Sequence, residues 1–121
     1  MRFEGGAAVE IDADENAEAI RTATAIDEGA RRLGELALVD DSGRIGPLGT
    51  FFHDMLFDEN TANHIALGSG IHHCVGEEMQ PRVNQSGMHV DFVIGHADQV
   101  VTGRTTDGRD VELMRGGAWS F

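Results

Sequence analysis

The chain has 121 residues, 40% of them hydrophobic, and its 21 Asp and Glu residues outnumber nine basic residues to give a net charge of −12. This length fits one domain, so we expect a single domain over residues 1–121. This charge disfavours binding to nucleic acid, because a phosphate backbone is bound through clustered basic residues. No apolar run approaches the ~18 residues of a membrane span. The composition therefore predicts a cytoplasmic protein with no nucleic-acid partner and no membrane partner. A single Cys and the lack of a secretion signal agree with that location.

The first half of the chain predicts two strands and three helical segments. The longest helix follows Asp12 or Asp14, either of which is a suitable N-cap. In chain order, the predicted elements are a strand within residues 3–12 after the Gly5-Gly6 pair, a helix over 14–24, a helical turn over 27–33, a strand over 35–39, a loop over 40–49 and a helix over 51–60.

The second half predicts mainly strands. Asp107-Gly108 is a favoured hairpin dipeptide and is expected to join the last two strands. The elements are an apolar segment over 65–67, a Gly-rich loop over 68–87 with one helical turn, and strands over 88–95, 99–104 and 109–114. This order favours an α+β fold, with a mixed, largely antiparallel sheet and flanking helices, over a doubly wound sheet.

His89-x-Asp91 is the sharpest local feature. Residues i and i+2 of a strand point the same way, so the imidazole and the carboxylate converge in a geometry that suits a divalent cation. Such a pair is also common on strand surfaces, so the motif alone leaves both interpretations open. An Fe(II) oxygenase would need a third, distal His well downstream, and only His96 follows, which disfavours that class.

Two further residues strengthen the metal interpretation. Glu35 opens the apolar strand 35–39, where an unpaired carboxylate is costly to bury and needs a metal or an Arg as partner. A salt bridge from Glu35 to Arg31 or Arg32 is the alternative. His64 directly precedes an apolar segment.

The remaining polar residues give weaker signals. His72, His73 and Cys74 share a Gly-flanked loop, but adjacent side chains rarely converge on one ion. His53 and His96 are interpreted as ordinary polar residues. The chain has no GxSxG elbow and no phosphate-binding Gly motif, so a serine hydrolase and a nucleotide-binding protein have no support.

Four strings resemble the C-terminal part of the thermophilic metallo-aminopeptidases of the aminopeptidase T, aminopeptidase S and PepS type. They are DEGARRLGE (27–35), GELALVDDS (34–42), LFDENTANHIALGSG (56–70) and HVDFVIG (89–95). The resemblance extends from about Val9 to Phe121. It implies the C-terminal, metal-binding part of an aminopeptidase catalytic domain, with the N-terminal portion of the family absent.

The resemblance implies metal ligands at Glu35, His64, His89 and Asp91. Family members bind two divalent ions, usually zinc or cobalt, and release N-terminal amino acids from peptides by means of a metal-activated water. The resemblance therefore also implies a peptide substrate with a free N-terminus, and either a homodimer or an N-terminal partner domain.

Two departures from the family bear on activity. The family's remaining metal-binding and general-base carboxylates belong to the portion that this chain does not contain, and Ile71 stands where the family has a Tyr near the metals. The loop between His64 and His89 is also shorter, and His72 is the one candidate to replace that Tyr as proton donor. We expect a metallo-aminopeptidase or a fragment of one. The alternative is an inactive metal-binding remnant, or half of a split enzyme that requires a partner.

Overall fold

The computed structural model describes residues 1–121 as eight strands, two short α-helices and four 3₁₀ turns. Its antiparallel sheets and few helices confirm the predicted α+β class. Residues 1–36 with 65–91 form one compact unit, and residues 37–64 with 92–121 form a second. Neither α-helix has the length and apolarity needed to cross a bilayer.

The strands are β1 (Arg2–Glu4), β2 (Ala7–Glu10), β3 (Leu33–Ala37), β4 (His64–Gly68), β5 (His89–Val93), β6 (Val100–Arg104), β7 (Asp110–Arg115) and β8 (Ala118–Trp119). The helices are α1 (Ala17–Ala23) and α2 (Met55–Glu59), and the 3₁₀ turns are Gly29–Arg31, Gly46–Leu48, His72–Cys74 and Gln80–Arg82. The three sheets have the orders β1-β2, β3-β4-β5 and β6-β7-β8.

The first unit begins with an antiparallel hairpin, β1–β2. Gly5 and Gly6 form its turn with φ values of 56° and 78°, a left-handed conformation that glycine adopts without a steric penalty. The sequence predicted β2 and missed β1. In this unit, the buried apolar side chains include Ala8 of β2, Ile11 and Leu67 of β4.

Helix α1 is shorter than predicted. It starts at Ala17 because Asn16 takes a left-handed conformation with φ 58°, so neither Asp12 nor Asp14 caps it. Asn tolerates this region better than other non-glycine residues. The loop over 68–87 likewise contains two 3₁₀ turns where one helical turn was expected.

Helix α2, in the second unit, covers only half of the predicted segment 51–60. The carboxylate of Asp54 accepts a hydrogen bond from Phe57 N and caps the helix. That of Asp58 accepts from the amides of Phe52 and Asp54, at 2.8 and 3.0 Å. These local bonds hold residues 52–54 in a non-helical approach to the helix.

The C-terminal sheet of the second unit is a three-stranded antiparallel meander. As predicted, β6 and β7 are joined through Asp107-Gly108, where Gly108 has φ 86°. Strand β8 was not predicted, since it is two residues long and depends on its pairing with β7, Met114 opposite Trp119.

Asn63 organises the interior of the second unit. Its Oδ1 accepts from Val39 N at 2.6 Å, and its Nδ2 donates to Gln99 Oε1 at 2.7 Å. Its carbonyl accepts from the amides of Ile94 and Gly95. With 2% exposure, this side chain replaces water for several buried polar groups.

Candidate metal centre

Two strands of one sheet carry the candidate ligands. Glu35 lies on β3, and His89 and Asp91 lie on β5. The predicted same-face placement of His89 and Asp91 is observed, because their side chains meet. One oxygen or nitrogen atom from each of the three residues lies within 4.8 Å of the other two.

The ring of His89 is oriented by a backbone carbonyl. Nδ1 lies 2.7 Å from Ser69 O. A carbonyl can only accept a hydrogen bond, so Nδ1 carries the proton and donates it. In the neutral ring, Nε2 therefore presents a lone pair on the side where the carboxylates lie, as a metal-ligating His does.

The distances from His89 Nε2 to the two carboxylates match those between atoms that coordinate the same metal ion. Nε2 lies 3.4 Å from Glu35 Oε2 and 3.2 Å from Asp91 Oδ1. Atoms bound at about 2.0–2.1 Å to one tetrahedral Zn²⁺ are about 3.3 Å apart. A lone pair and two carboxylates at these separations repel one another unless a cation, either a proton or a metal ion, lies among them.

Asp91 supplies an independent indication. Its Oδ1 is buried and has no hydrogen bond while His89 is neutral with its proton on Nδ1, because the atom nearest to it, His89 Nε2 at 3.2 Å, then has no proton to donate. A buried carboxylate oxygen without a hydrogen bond is costly, and a metal ion is one group that satisfies it. The donor set of one imidazole and two carboxylates fits a divalent transition metal.

The same surroundings affect the protonation of His89. Burial of the ring lowers the pKa of His89, but the hydrogen bond to Ser69 O and the negative charges of Asp91 and Glu35 together outweigh burial, and the pKa lies above its ordinary value. A proton and a metal ion thus compete for Nε2.

The alternative for Glu35, a salt bridge to Arg31 or Arg32, stays a prediction. Arg31 donates from Nε to Thr24 O, and Arg32 donates from Nη1 to Gly5 O. Glu35 Oε2 also lies 3.4 Å from His89 Nε2, which makes an ion pair when the ring is protonated.

His64 is placed differently from the other three predicted ligands. It is 1% exposed at the start of β4, with Nδ1 3.1 Å from Ala62 O, and it belongs to the second unit. The group of converging ligand atoms comprises Glu35, His89 and Asp91. The role of His64 as a ligand stays a prediction.

The loop residues near Ile71 form the side of a cavity. His72, His73 and Cys74 make a 3₁₀ turn, and Cys74 is an exposed free thiol. A cavity of about 320 Å³ is lined by β3 and this loop, by residues Gly34, Glu35, Leu36, Ile71, Cys74, Val75, Val83 and Asn84. No role for His72 as a proton donor follows from its position, and that assignment stays a prediction.

Sequence reasoning missed Ser69, which orients His89, and Asn84, which binds the backbone beside β3 and β4. Ser69 acts through its carbonyl, so its side-chain type carries no signal. Asn84 donates to three backbone carbonyls from a loop that sequence patterns left irregular. An Asn in a Gly-rich loop was the only available hint.

Comparison with known proteins decides the family. The sequence profile described as thermophilic metalloprotease (M29) matches residues 1–119. The chain belongs to the M29 family. Its resemblance to the aminopeptidase T type is thereby confirmed.

Known aminopeptidases align over nearly the whole chain. Aminopeptidase T of Thermus aquaticus is 46% identical over 98% of this chain, and aminopeptidase 2 of Geobacillus stearothermophilus is 38% identical over 100% of it. The solved structure of wild-type AmpT from Thermus thermophilus superposes with a TM-score of 0.86 at 45% identity, covering 99% of this chain. The chain spans about 30% of the length of these relatives.

Proposed function

We propose that this chain carries the metal-binding part of an M29 aminopeptidase, which hydrolyses the first peptide bond of substrates with a free N-terminus. The observation that carries the proposal is the convergence of Glu35, His89 and Asp91 around a buried carboxylate oxygen that has no hydrogen-bond partner. Membership of a metallopeptidase family supports the same chemistry.

In this proposal the three side chains hold a divalent ion. When bound, such an ion supplies Lewis-acid chemistry, which polarises the scissile carbonyl and increases the acidity of water. Ser69 O holds the proton on His89 Nδ1, so Nε2 remains a donor of its lone pair. Glu35 and Asp91 contribute negative charge, which lowers the net charge of the occupied centre.

The identity and number of the ions are part of the proposal. Imidazole with carboxylates suits Zn²⁺ or Co²⁺ better than Mg²⁺, which prefers an all-oxygen octahedron. A pair of ions, as the resemblance implies, needs more ligands than these three. His64 is the further ligand that this chain is proposed to contribute.

The competing proposal is a structural ion pair. A protonated His89 would also satisfy both carboxylates, and the chain would then be an inactive remnant of the family. Metal content separates the two, because a protonated imidazole cannot bind an ion. Protein purified without chelator is expected to retain metal, and His89→Ala is expected to lose it while His96→Ala, an exposed His outside the group, retains it.

The proposed activity is tested with a chimeric enzyme. Residues 1–121 of this chain replace the aligned 30% of Thermus aquaticus aminopeptidase T, and the hydrolysis of aminoacyl-arylamides by the chimera is measured. We expect metal-dependent turnover that Asp91→Ala abolishes and His96→Ala preserves. A folded, metal-loaded chimera without turnover would support the inactive remnant. Turnover by the chimera but not by the chain alone would support the partner-requiring half.

The proposed partner is a second copy of this chain. Phe51, Met55 and Phe121 are 69%, 74% and 89% exposed, so these large apolar side chains are available for burial in an interface. A net charge of −12 opposes association at low salt, and salt screens that repulsion without weakening apolar burial. Light scattering is expected to show an oligomeric fraction that rises with NaCl. A monomer at every salt concentration would favour an N-terminal partner domain instead.

A further inference from the structure

Three backbone segments of the first unit converge on one side chain. Asn84 Nδ2 donates to Gly68 O at 2.7 Å and to Gly29 O at 2.8 Å, with a longer contact to Arg32 O at 3.4 Å. Gly68 ends β4, and Arg32 directly precedes β3. One amide group thus ties the start of β3 to the end of β4.

Glycines make this convergence possible. A Cβ on Gly34 would lie 2.4 Å from Gly68 O and from Ser69 O, and one on Gly29 would lie 1.9 Å from Gln85 O. Real Cβ atoms do not approach oxygen so closely, so only glycine allows these backbones to meet around Asn84. The sequence is therefore built for this contact.

Asn84 also holds both sides of Ser69. Its side chain binds Gly68 O, and its own carbonyl accepts from Gly70 N at 2.9 Å. The Asn84 side chain thereby holds the peptide group before Ser69, and the main chain of residue 84, which every variant retains, holds the peptide group after it. Between them, Ser69 O accepts the proton of His89 Nδ1 at 2.7 Å.

We propose that Asn84 is a positioning residue for the metal centre, setting the tautomer and orientation of His89 through Ser69 and the place of Glu35 through the start of β3. The inference rests on the proposed metal-binding function. Two acceptors compete for the proton of the neutral ring, Ser69 O at Nδ1 and the carboxylates of Glu35 and Asp91 at Nε2. A fixed Ser69 carbonyl keeps the proton on Nδ1, and a loosened one allows it to move to Nε2.

The tautomer gives a test that does not depend on metal. In the metal-free chain, at alkaline pH where the ring is neutral, two-dimensional ¹⁵N–¹H multiple-bond spectra report which nitrogen of His89 bears the proton, and His89→Gln identifies its signals. We expect the Nδ1–H form in the wild type and a shift toward Nε2–H in Asn84→Ala. In Asn84→Ser, which keeps a single donor, the proportion of the Nε2–H form is expected to lie between those of the wild type and Asn84→Ala. Asn60→Ala is the matched control, because it removes an Asn-to-carbonyl bond at Leu56 O in the second unit.

The second experiment measures the Co²⁺ affinity of the same variants by titration. We expect Asn84→Ala to bind Co²⁺ about 10–100-fold more weakly than the wild type, the usual effect of losing a group that orients a ligand. Asn60→Ala should bind it with unchanged affinity. A wild type that binds no Co²⁺ but shows the tautomer shift would refute the proposed function and leave the positioning role supported. An unchanged His89 spectrum in Asn84→Ala would overturn the positioning role. So would unfolding of both Asn84 variants while Asn60→Ala folds, because Asn84 would then serve the fold itself.

Discussion

His89 Nε2 lies 3.2 Å from Asp91 Oδ1, two residues further along β5. The contact follows from the two-residue period of a strand, which places both side chains on one face. It does not satisfy the carboxylate, because Asp91 Oδ1 remains buried without a hydrogen bond. The pair has the features of a ligand set more than those of a surface salt bridge.

Within the first unit, Asp27 joins the loop before β5 to the turn Gly29–Arg31. Its carboxylate accepts from Gly87 N at 2.7 Å, from Ser86 Oγ at 3.0 Å and from Ala30 N at 2.8 Å. The hydrogen bond from Gly87, with those from Ser86 and Ala30, holds the pKa of Asp27 below its ordinary value. Because its pKa is lower in the folded state, the ionised Asp27 carboxylate stabilises the fold at pH values above the unfolded-state pKa of about 3.9. This stabilisation is lost as the pH falls through the folded-state pKa.

We therefore expect Asp27→Asn to lower the melting temperature at neutral pH, and its difference from the wild type to shrink as the pH falls below about 4. Melting curves measured by circular dichroism across this range test the prediction. The exposed Asp14→Asn is the control and should match the wild type. A deficit for Asp27→Asn that stays constant down to the lowest pH would contradict the ionic role of the carboxylate.

Asn63→Ala should destabilise the chain by about 2–4 kcal/mol, because each buried polar group left without a partner costs about 1–3 kcal/mol. Val39 N and Gln99 Oε1 both lose their bonds to the Asn63 side chain. Urea unfolding measures the effect. Asn60→Ala, which loses an exposed bond to Leu56 O and a longer bond to Glu59 Oε1, should cost about 0.5–1.5 kcal/mol. Equal losses for the two variants would show that burial of Asn63 is not decisive.

Gly68→Ala tests the close approach of β4 to the start of β5. Gly68 has φ 98°, and a Cβ there would lie 2.2 Å from Met88 O. Strain and overlap together are expected to cost at least about 2 kcal/mol in unfolding free energy. Gly87→Ala, whose Cβ would meet nothing nearer than 3.4 Å, should change stability by less than about 1 kcal/mol. Equal stability of the two variants would contradict the tight packing of this segment.

Local periodicity made part of this molecule predictable. The β6–β7 hairpin and the shared face of His89 and Asp91 depend on neighbouring residues, and both are observed as predicted. Elements decided by capping or pairing were placed less well. Helix α2 starts late because of Asp58, and β8 exists only through β7.

The proposed positioning role of Asn84 could not be predicted from the sequence, because it also depends on contacts between distant parts of the chain. Asn84 acts on Gly29 and Gly68, which are 55 and 16 residues away along the chain. No spacing rule connects such positions, since their contact is a property of the folded backbone. Glu35 was singled out as a candidate, with a metal or an Arg as its partner, from the cost of an unpaired carboxylate in an apolar strand, an argument that needs no long-range pairing.

Crystallography with anomalous scattering tests the metal centre most directly. Crystals of the chain grown with Co²⁺ are measured on both sides of the cobalt absorption edge. We expect an anomalous peak about 2.0–2.3 Å from His89 Nε2 and from carboxylate oxygens of Glu35 and Asp91, and its loss in His89→Ala. A map without a peak among these three side chains, in crystals that contain Co²⁺ in the mother liquor, would contradict the proposed metal centre.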